Sequence, residues 1–241
     1  MGDQSRIVFT GGDGLLGTTF RKCRPDIRYV DIKDFDITDY GQMKAYFEPD
    51  GFDLMLHCAA FTSPPLIDKD PSKAIDVNIV GTCNVVKLCM EYNARLIYVC
   101  TDYVFKGDKG NYVEDDPVLP VNKYAWSKLG GECAARLYDN SLVIRTTFGP
   151  DEFPYPKAFV DQWTSREGVS VIAGMISKLI DTDLTGVIHV GGKRKTVYEY
   201  AKGLDPSKEI GGLSINDVNF SVPVDTSLDC EKYRRLVGGS N

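Results

Sequence analysis

The chain has 241 residues with 28 Lys plus Arg against 34 Asp plus Glu, a formal net charge of −6. A hydrophobic share of 43% excludes a disordered chain, and no apolar run approaches the roughly 20 residues of a membrane span. The acidic balance and the lack of a long basic block argue against nucleic acid and against a membrane surface as partners. The N-terminal residues carry no apolar signal core. Seven cysteines, mostly inside apolar runs, contain no CxxC pair, and only His57 and His189 accompany them. They read as free thiols of a cytoplasmic protein, with neither a disulfide framework nor a metal site.

Apolar runs alternate with helical patterns over the first 150 residues. Residues 6–10 read as a strand, Leu15 to Cys23 as a helix, and Ile27 to Asp31 as a second strand. An apolar pulse at Phe35-Asp36-Ile37 follows too soon for a crossover helix; Thr38-Asp39 then caps a helix running to about Phe47. Asp53 to Ala60 is a strand, Asp70 to Asn93 a helix, Arg95 to Cys100 a strand, Asn122 to Tyr138 a helix, and Leu142 to Arg145 a strand. Such alternation predicts βαβ units and a parallel sheet. Beyond Gly149-Pro150 the spacing predicts helices over Lys157 to Arg166 and Val169 to Ile180, and a strand over Thr185 to Val190. The expected organisation is a nucleotide-binding domain over residues 1–150 and a small cap over 151–241, with a segment near 185–190 returning to the core sheet.

Thr10-Gly11-Gly12-Asp13-Gly14-Leu15-Leu16-Gly17 sits where the first strand turns into the first helix. Gly11 permits the tight turn, Gly14 lets backbone approach a pyrophosphate, and Gly17 allows close helix–strand packing. The predicted fold class is therefore α/β, a doubly wound parallel sheet of Rossmann type with a shortened C-terminal cap lobe. Asp31 follows Gly11 by twenty residues and ends the second strand, where a carboxylate accepts ribose hydroxyls and repels a 2′-phosphate. Asp13 leans the same way and Lys33 the other, a slight preference for NAD(H) over NADP(H). A turn residue is the competing reading of Asp31.

Tyr124 and Lys128 are four residues apart and project from one face of a helix. An ammonium beside a phenol lowers its pKa and equips it for general acid–base work. Thr101 lies just past the carboxyl end of the Arg95–Cys100 strand, at the crevice where open α/β sheets bind ligands, and its hydroxyl can share a substrate oxygen with Tyr124.

With these residues the chain resembles the extended short-chain dehydrogenase/reductases, and within them the dTDP-4-dehydrorhamnose reductase family. Supporting segments are 36–39 (DITD), 57–62 (HCAAFT), 77–82 (VNIVGT), 100–105 (CTDYVF), 145–148 (RTTF) and 227–232 (SLDCEK). The resemblance implies reduction of the C4 ketone of a nucleotide-linked 6-deoxy sugar, with Thr101, Tyr124 and Lys128 catalytic. It implies cofactor contacts at Gly11, Asp13, Gly14, Leu15, Leu16, Gly17, Asp31, Asp36, Ile37, Cys58, Ala59, Ala60, Asn78, Tyr124 and Lys128. Substrate contacts are implied at Thr62, Asp102, Tyr103 and Phe148. A homodimer is open by superfamily analogy. Tyr103 occupies the position where epimerising relatives carry a cysteine.

The chain departs from the family where Gly168-Val169 runs straight into the cap helix, where Val222 precedes Pro223, and where Phe148 replaces a tryptophan. The alternatives are a non-catalytic NAD(P)-binding regulatory subunit, as in the similar regulatory subunit of methionine adenosyltransferase, or an NAD-dependent epimerase or dehydratase. Three smaller features are read both ways. His57 is a core histidine or a cofactor neighbour, Lys193-Arg194-Lys195 a diphosphate site or a solvated loop, and Trp163 a pocket wall or a packing residue.

Overall fold

The computed structural model describes residues 5–218 and 222–238. In chain order the first part forms β1 (Ile7–Thr10), α1 (Leu15–Cys23), β2 (Arg28–Val30), α2 (Tyr40–Phe47), β3 (Leu54–His57), α3 (Pro64–Lys69), α4 (Ser72–Ala74), α5 (Thr82–Glu91), β4 (Arg95–Thr101), α6 (Lys123–Ala135) and β5 (Ser141–Thr146). The second part adds the short strands β6 (Phe148–Gly149), β7 (Lys157–Phe159), β8 (Trp163–Thr164) and β9 (Glu167–Gly168). It continues with α7 (Val169–Ile180), β10 (Gly186–Val190), β11 (Lys195–Thr196), α8 (Val197–Leu204), β12 (Gly211–Leu213) and α9 (Glu231–Val237).

Six strands form one sheet in the order β10-β5-β4-β3-β1-β2, every pair parallel. Strands β3 and β5 are buried along their whole length, as a sheet covered on both faces requires. Met43, Phe47, Val85, Leu88 and Leu129 pack one face from α2, α5 and α6. Leu16, Phe20, Ile172, Ile176 and Leu179 pack the other from α1 and α7. Helix α7 buries residues 169, 172, 173, 176, 179 and 180, a stripe at helical spacing. The chain leaves β1 in one direction to β2 and later in the other to β3, so the sheet reverses at β1 and a crevice opens above its carboxyl end.

Local chemistry sets the helix starts. Asp39 Oδ1 accepts the Gln42 amide at 3.0 Å and Asn122 Oδ1 the Ala125 amide at 2.8 Å, each capping a helix where the sequence placed one. The helix expected over Asp70 to Asn93 forms continuously over residues 72–91, with a π-helical stretch Ile75–Gly81 between α4 and α5. One expectation is corrected. The helix over Lys157 to Arg166 does not form: β7 pairs with β12 and β8 with β11 instead, partners some 30 to 50 residues away that local spacing cannot reveal. Helices α3, α8 and α9 were not anticipated. Among the described residues no helix is long and apolar enough to cross a membrane, and no cluster of three His, Cys, Asp or Glu fit to hold a metal is found.

Candidate active site

The crevice above β1 is a cleft of about 800 Å³. At one end the glycine turn forms its floor. Gly11 adopts φ +77°, and a Cβ there would lie 2.9 Å from the Ala59 nitrogen. A Cβ on Gly17 would lie 2.6 Å from the carbonyl oxygens of both Gly11 and Gly12, so only glycine lets α1 start so close to the turn. Gly14 caps α1 without a side-chain hydrogen bond, and the first turn holds no acidic residue. The first amides and the positive end of the helix therefore face the cleft, an arrangement suited to a pyrophosphate.

Asp31 takes the Asp13 amide at 2.9 Å and the Ile32 amide at 2.8 Å, which fixes its carboxylate at the cleft edge. Lys33 Nζ is 2.6 Å from Asp13, and Arg21 lies 3.8 Å from the same carboxylate. Both cations are thus turned toward Asp13. Ile37 lines the cleft, while one oxygen of Asp36 accepts the Thr38 amide and hydroxyl, each at 2.8 Å.

At the other end, α6 is tied to the sheet by a buried ion pair. Arg145 on β5 grips Glu132 through two nitrogens, at 2.6 and 3.2 Å, with both side chains at most 1% exposed. The Tyr98 hydroxyl donates to the Lys128 carbonyl at 3.0 Å. These contacts set Tyr124 and Lys128 over the ends of β4 and β5, where Thr101 and Thr146 are register partners. Thr101 Oγ1 donates to Asp102 Oδ1 at 3.1 Å and accepts the Tyr103 amide at 3.3 Å, and its hydroxyl neighbours the Tyr124 phenol. Thr226 Oγ1 donates to the other oxygen of Asp102 at 2.7 Å.

Burial governs the titrations here. It pushes the Tyr124 phenol well up, with further push from Cys100 and Asp102. It raises Asp102 to about 6, against the pull of Thr226, Arg166 and Thr101. It pushes Lys128 below the ordinary lysine range. The Lys128 ammonium lies 4.4 Å from the centre of the Tyr98 ring and makes no hydrogen bond with a described residue. Burial thus favours the neutral phenol of Tyr124, the form a proton donor needs.

Every residue expected at the site lines this cleft except Asn78. Asn78 is fully buried: its amide nitrogen donates to the Phe61 carbonyl at 2.9 Å and Ser127 Oγ at 2.8 Å, and its oxygen accepts the Phe61 amide at 2.7 Å. It braces the 58–62 loop against α6.

Three residues at the far end were missed. Thr146 Oγ1 is buried at the cleft without a hydrogen-bond partner among the described residues, Thr147 lies beside it, and the Arg166 guanidinium reaches in with one long bond to Thr147 Oγ1 at 3.4 Å. The Arg-Thr-Thr-Phe segment pointed to the threonines; a lone arginine between two short strands gives no signal.

The remaining candidates resolve as packing. His57 is buried between Thr10 and Thr82, at 2.7 and 3.1 Å, and burial lowers its pKa to about 3. Arg194 pairs with Asp225 at 2.8 Å and stacks 3.7 Å over Trp163, and Lys195 pairs with Glu167. Arg194, Lys195 and Trp163 are therefore engaged in packing, Lys193 is exposed, and all four lie outside the cleft-lining set.

The RmlD substrate binding domain model matches residues 5–178. The rat methionine adenosyltransferase 2 subunit beta is 25% identical across 96% of this chain and 82% of its own. The dTDP-4-dehydrorhamnose reductase of Aggregatibacter actinomycetemcomitans is 29% identical, across 71% of this chain and 62% of its own. A crystal structure of the Bacillus anthracis dTDP-4-dehydrorhamnose reductase in complex with NADP superposes with a TM-score of 0.86 at 26% identity, covering 99% of this chain and 93% of that one.

Proposed function

The chain belongs to the RmlD substrate binding domain family, and on that premise we propose that it is an NAD(P)H-dependent reductase of the C4 ketone of a nucleotide-linked 6-deoxy sugar. The observation that carries this is the convergence of Tyr124, Thr101 and a buried, unpaired Lys128 ammonium on a cleft whose opposite end is the glycine turn. The residues fit a nicotinamide dinucleotide on structural grounds. The uncapped start of α1 offers amides to phosphate oxygens, and among the described residues Lys128 makes no hydrogen bond that would compete with ribose hydroxyls, and the Thr146 hydroxyl has no partner at the far end. The cofactor supplies the hydride. Tyr124 Oη gives its proton to the carbonyl oxygen as that oxygen gains charge, and Thr101 Oγ1 holds the same oxygen in place. Thr62, Asp102, Tyr103 and Phe148 wall the substrate half.

NAD(H) is the favoured cofactor in this reading. Asp31, a carboxylate at the end of β2 on the cleft edge, would accept ribose hydroxyls and repel a 2′-phosphate, and Lys33 is paired with Asp13 rather than held open for an anion. Cytoplasmic placement accords with seven free cysteines. A regulatory subunit is the second reading, favoured by the near-complete alignment with the methionine adenosyltransferase subunit against a shorter one with the reductase.

Thermal-shift titration with NADH and NADPH, each alone and then with dTDP or UDP, tests the proposal. A rise with cofactor and a further rise with a nucleotide supports the reductase. A cofactor shift alone favours the regulatory reading, and no shift refutes dinucleotide binding.

A further inference from the structure

We infer that Asp102 restores the proton of Tyr124 through the Thr101 hydroxyl, and that Thr226 on the C-terminal segment positions Asp102 to do so. The inference rests on the reductase reading above. Thr101 Oγ1 has a single proton to give. In the structure that proton points to Asp102 Oδ1 at 3.1 Å, so it is withheld from the neighbouring Tyr124 phenol. It cannot then donate to a substrate oxygen or to a phenolate. Protonating Asp102 reverses the bond: the carboxylic acid donates to Thr101, and the Thr101 proton is released toward the cleft. Thr226 Oγ1 already donates to Asp102 Oδ2 at 2.7 Å, so the acid proton resides on Oδ1, the oxygen that faces Thr101.

The proton count closes. Tyr124 loses its O–H bond as the product hydroxyl forms. The phenolate takes the Thr101 proton, Thr101 takes the Asp102 proton, and the net change is one proton moved from Asp102 to Tyr124. Asp102 is left ionised and recovers a proton from water, since it lines the cleft. The charged and titratable groups facing it are Arg166 from the segment before α7, Tyr103 from its own turn and Tyr124 from α6; Thr101 and Thr226 are its neutral partners. Burial against Arg166 and the two hydroxyls holds Asp102 at about 6, where both protonation states are accessible near neutral pH. Asn78 offers no competing path, because its amide is spent on Phe61 and Ser127 behind the cleft.

The test measures ketone reduction by cofactor-loaded wild type, Asp102→Asn, Thr226→Val and Thr226→Ser across pH. In wild type kcat falls as pH rises above about 6. Asp102→Asn lowers kcat by about tenfold or more, leaves cofactor affinity unchanged and flattens this profile. Thr226→Val removes a donor from the carboxylate and moves the midpoint to higher pH; Thr226→Ser restores it. An Asp102→Asn profile identical to wild type overturns the relay. An infrared titration of wild type needs no turnover: a carboxylic-acid carbonyl stretch that vanishes between about pH 5 and pH 8 supports it, and its absence at about pH 5 overturns it. Should Asp102→Asn fail to fold, Thr226→Val and the infrared titration carry the test. Wild type that reduces no nucleotide-linked keto sugar overturns the reductase reading itself, whereas turnover with an unaltered profile overturns the relay alone.

Discussion

Asp102 also makes a stability statement that is separable from catalysis. Its carboxyl is 1% exposed, and burial lifts its pKa from 3.8 in the unfolded chain to about 6 in the fold. A raised folded pKa means the native state binds the proton more tightly, so the stabilisation is complete below about pH 3.8 and is lost as pH rises through about 6. At 1.36 kcal/mol per unit the loss is about 3 kcal/mol. Asp102→Asn removes the titrating charge while its amide still meets the Thr101 and Thr226 hydroxyls. The difference in unfolding free energy between variant and wild type is expected to move by about 3 kcal/mol in favour of the variant from about pH 3.5 to pH 7.5. For a chain of this size that corresponds to roughly 6–12 °C in Tm. Urea unfolding of both proteins at matched pH values measures it, since the other titrating groups cancel in the difference. A difference that stays constant with pH would refute the reasoning, because it would mean that Asp102 titrates alike in both states.

Other consequences are equally direct. Gly17→Ala drives a Cβ to 2.6 Å from two backbone carbonyls, so the glycine turn must open; a loss of about 1–3 kcal/mol in stability and of cofactor affinity is expected, read by thermal melting with and without NADH. Glu132→Gln leaves Arg145 charged and buried without its carboxylate, for which a cost of about 3–5 kcal/mol by urea unfolding is expected, together with loosening of α6. Asp31→Ala should weaken NADH more than NADPH in equilibrium titrations; equal losses would reduce Asp31 to a brace for the Asp13 and Ile32 amides.

The core of the site was legible in the sequence because its signals are local. A glycine turn between a strand and a helix, an acid at the end of the next strand, and a tyrosine–lysine pair one helical turn apart need only near-neighbour geometry, and all of them reach the cleft. Asn78 lies outside the cleft lining, and its partners, Phe61 and Ser127, are 17 and 49 residues distant, so no local pattern tells which way its amide points. Lys128 was read by spacing alone, yet burial beside Tyr98 decides where its ammonium rests. The helix expected over Lys157 to Arg166 yielded to strand pairing with residues 195–196 and 211–213, a tertiary choice that overrides local preference. Helix α8, by contrast, carries a readable start signal: Thr196 and Glu199 form a capping box.

The most direct test of the central claim follows NADH and NADPH oxidation with an enzymatically generated dTDP-linked 4-dehydro-6-deoxy sugar, in wild type and in Tyr124→Phe. The proton donor on α6 leads to steady turnover in wild type and none above background in Tyr124→Phe, with cofactor affinity nearly unchanged. Full turnover in Tyr124→Phe, or none in wild type that binds the cofactor, would contradict it.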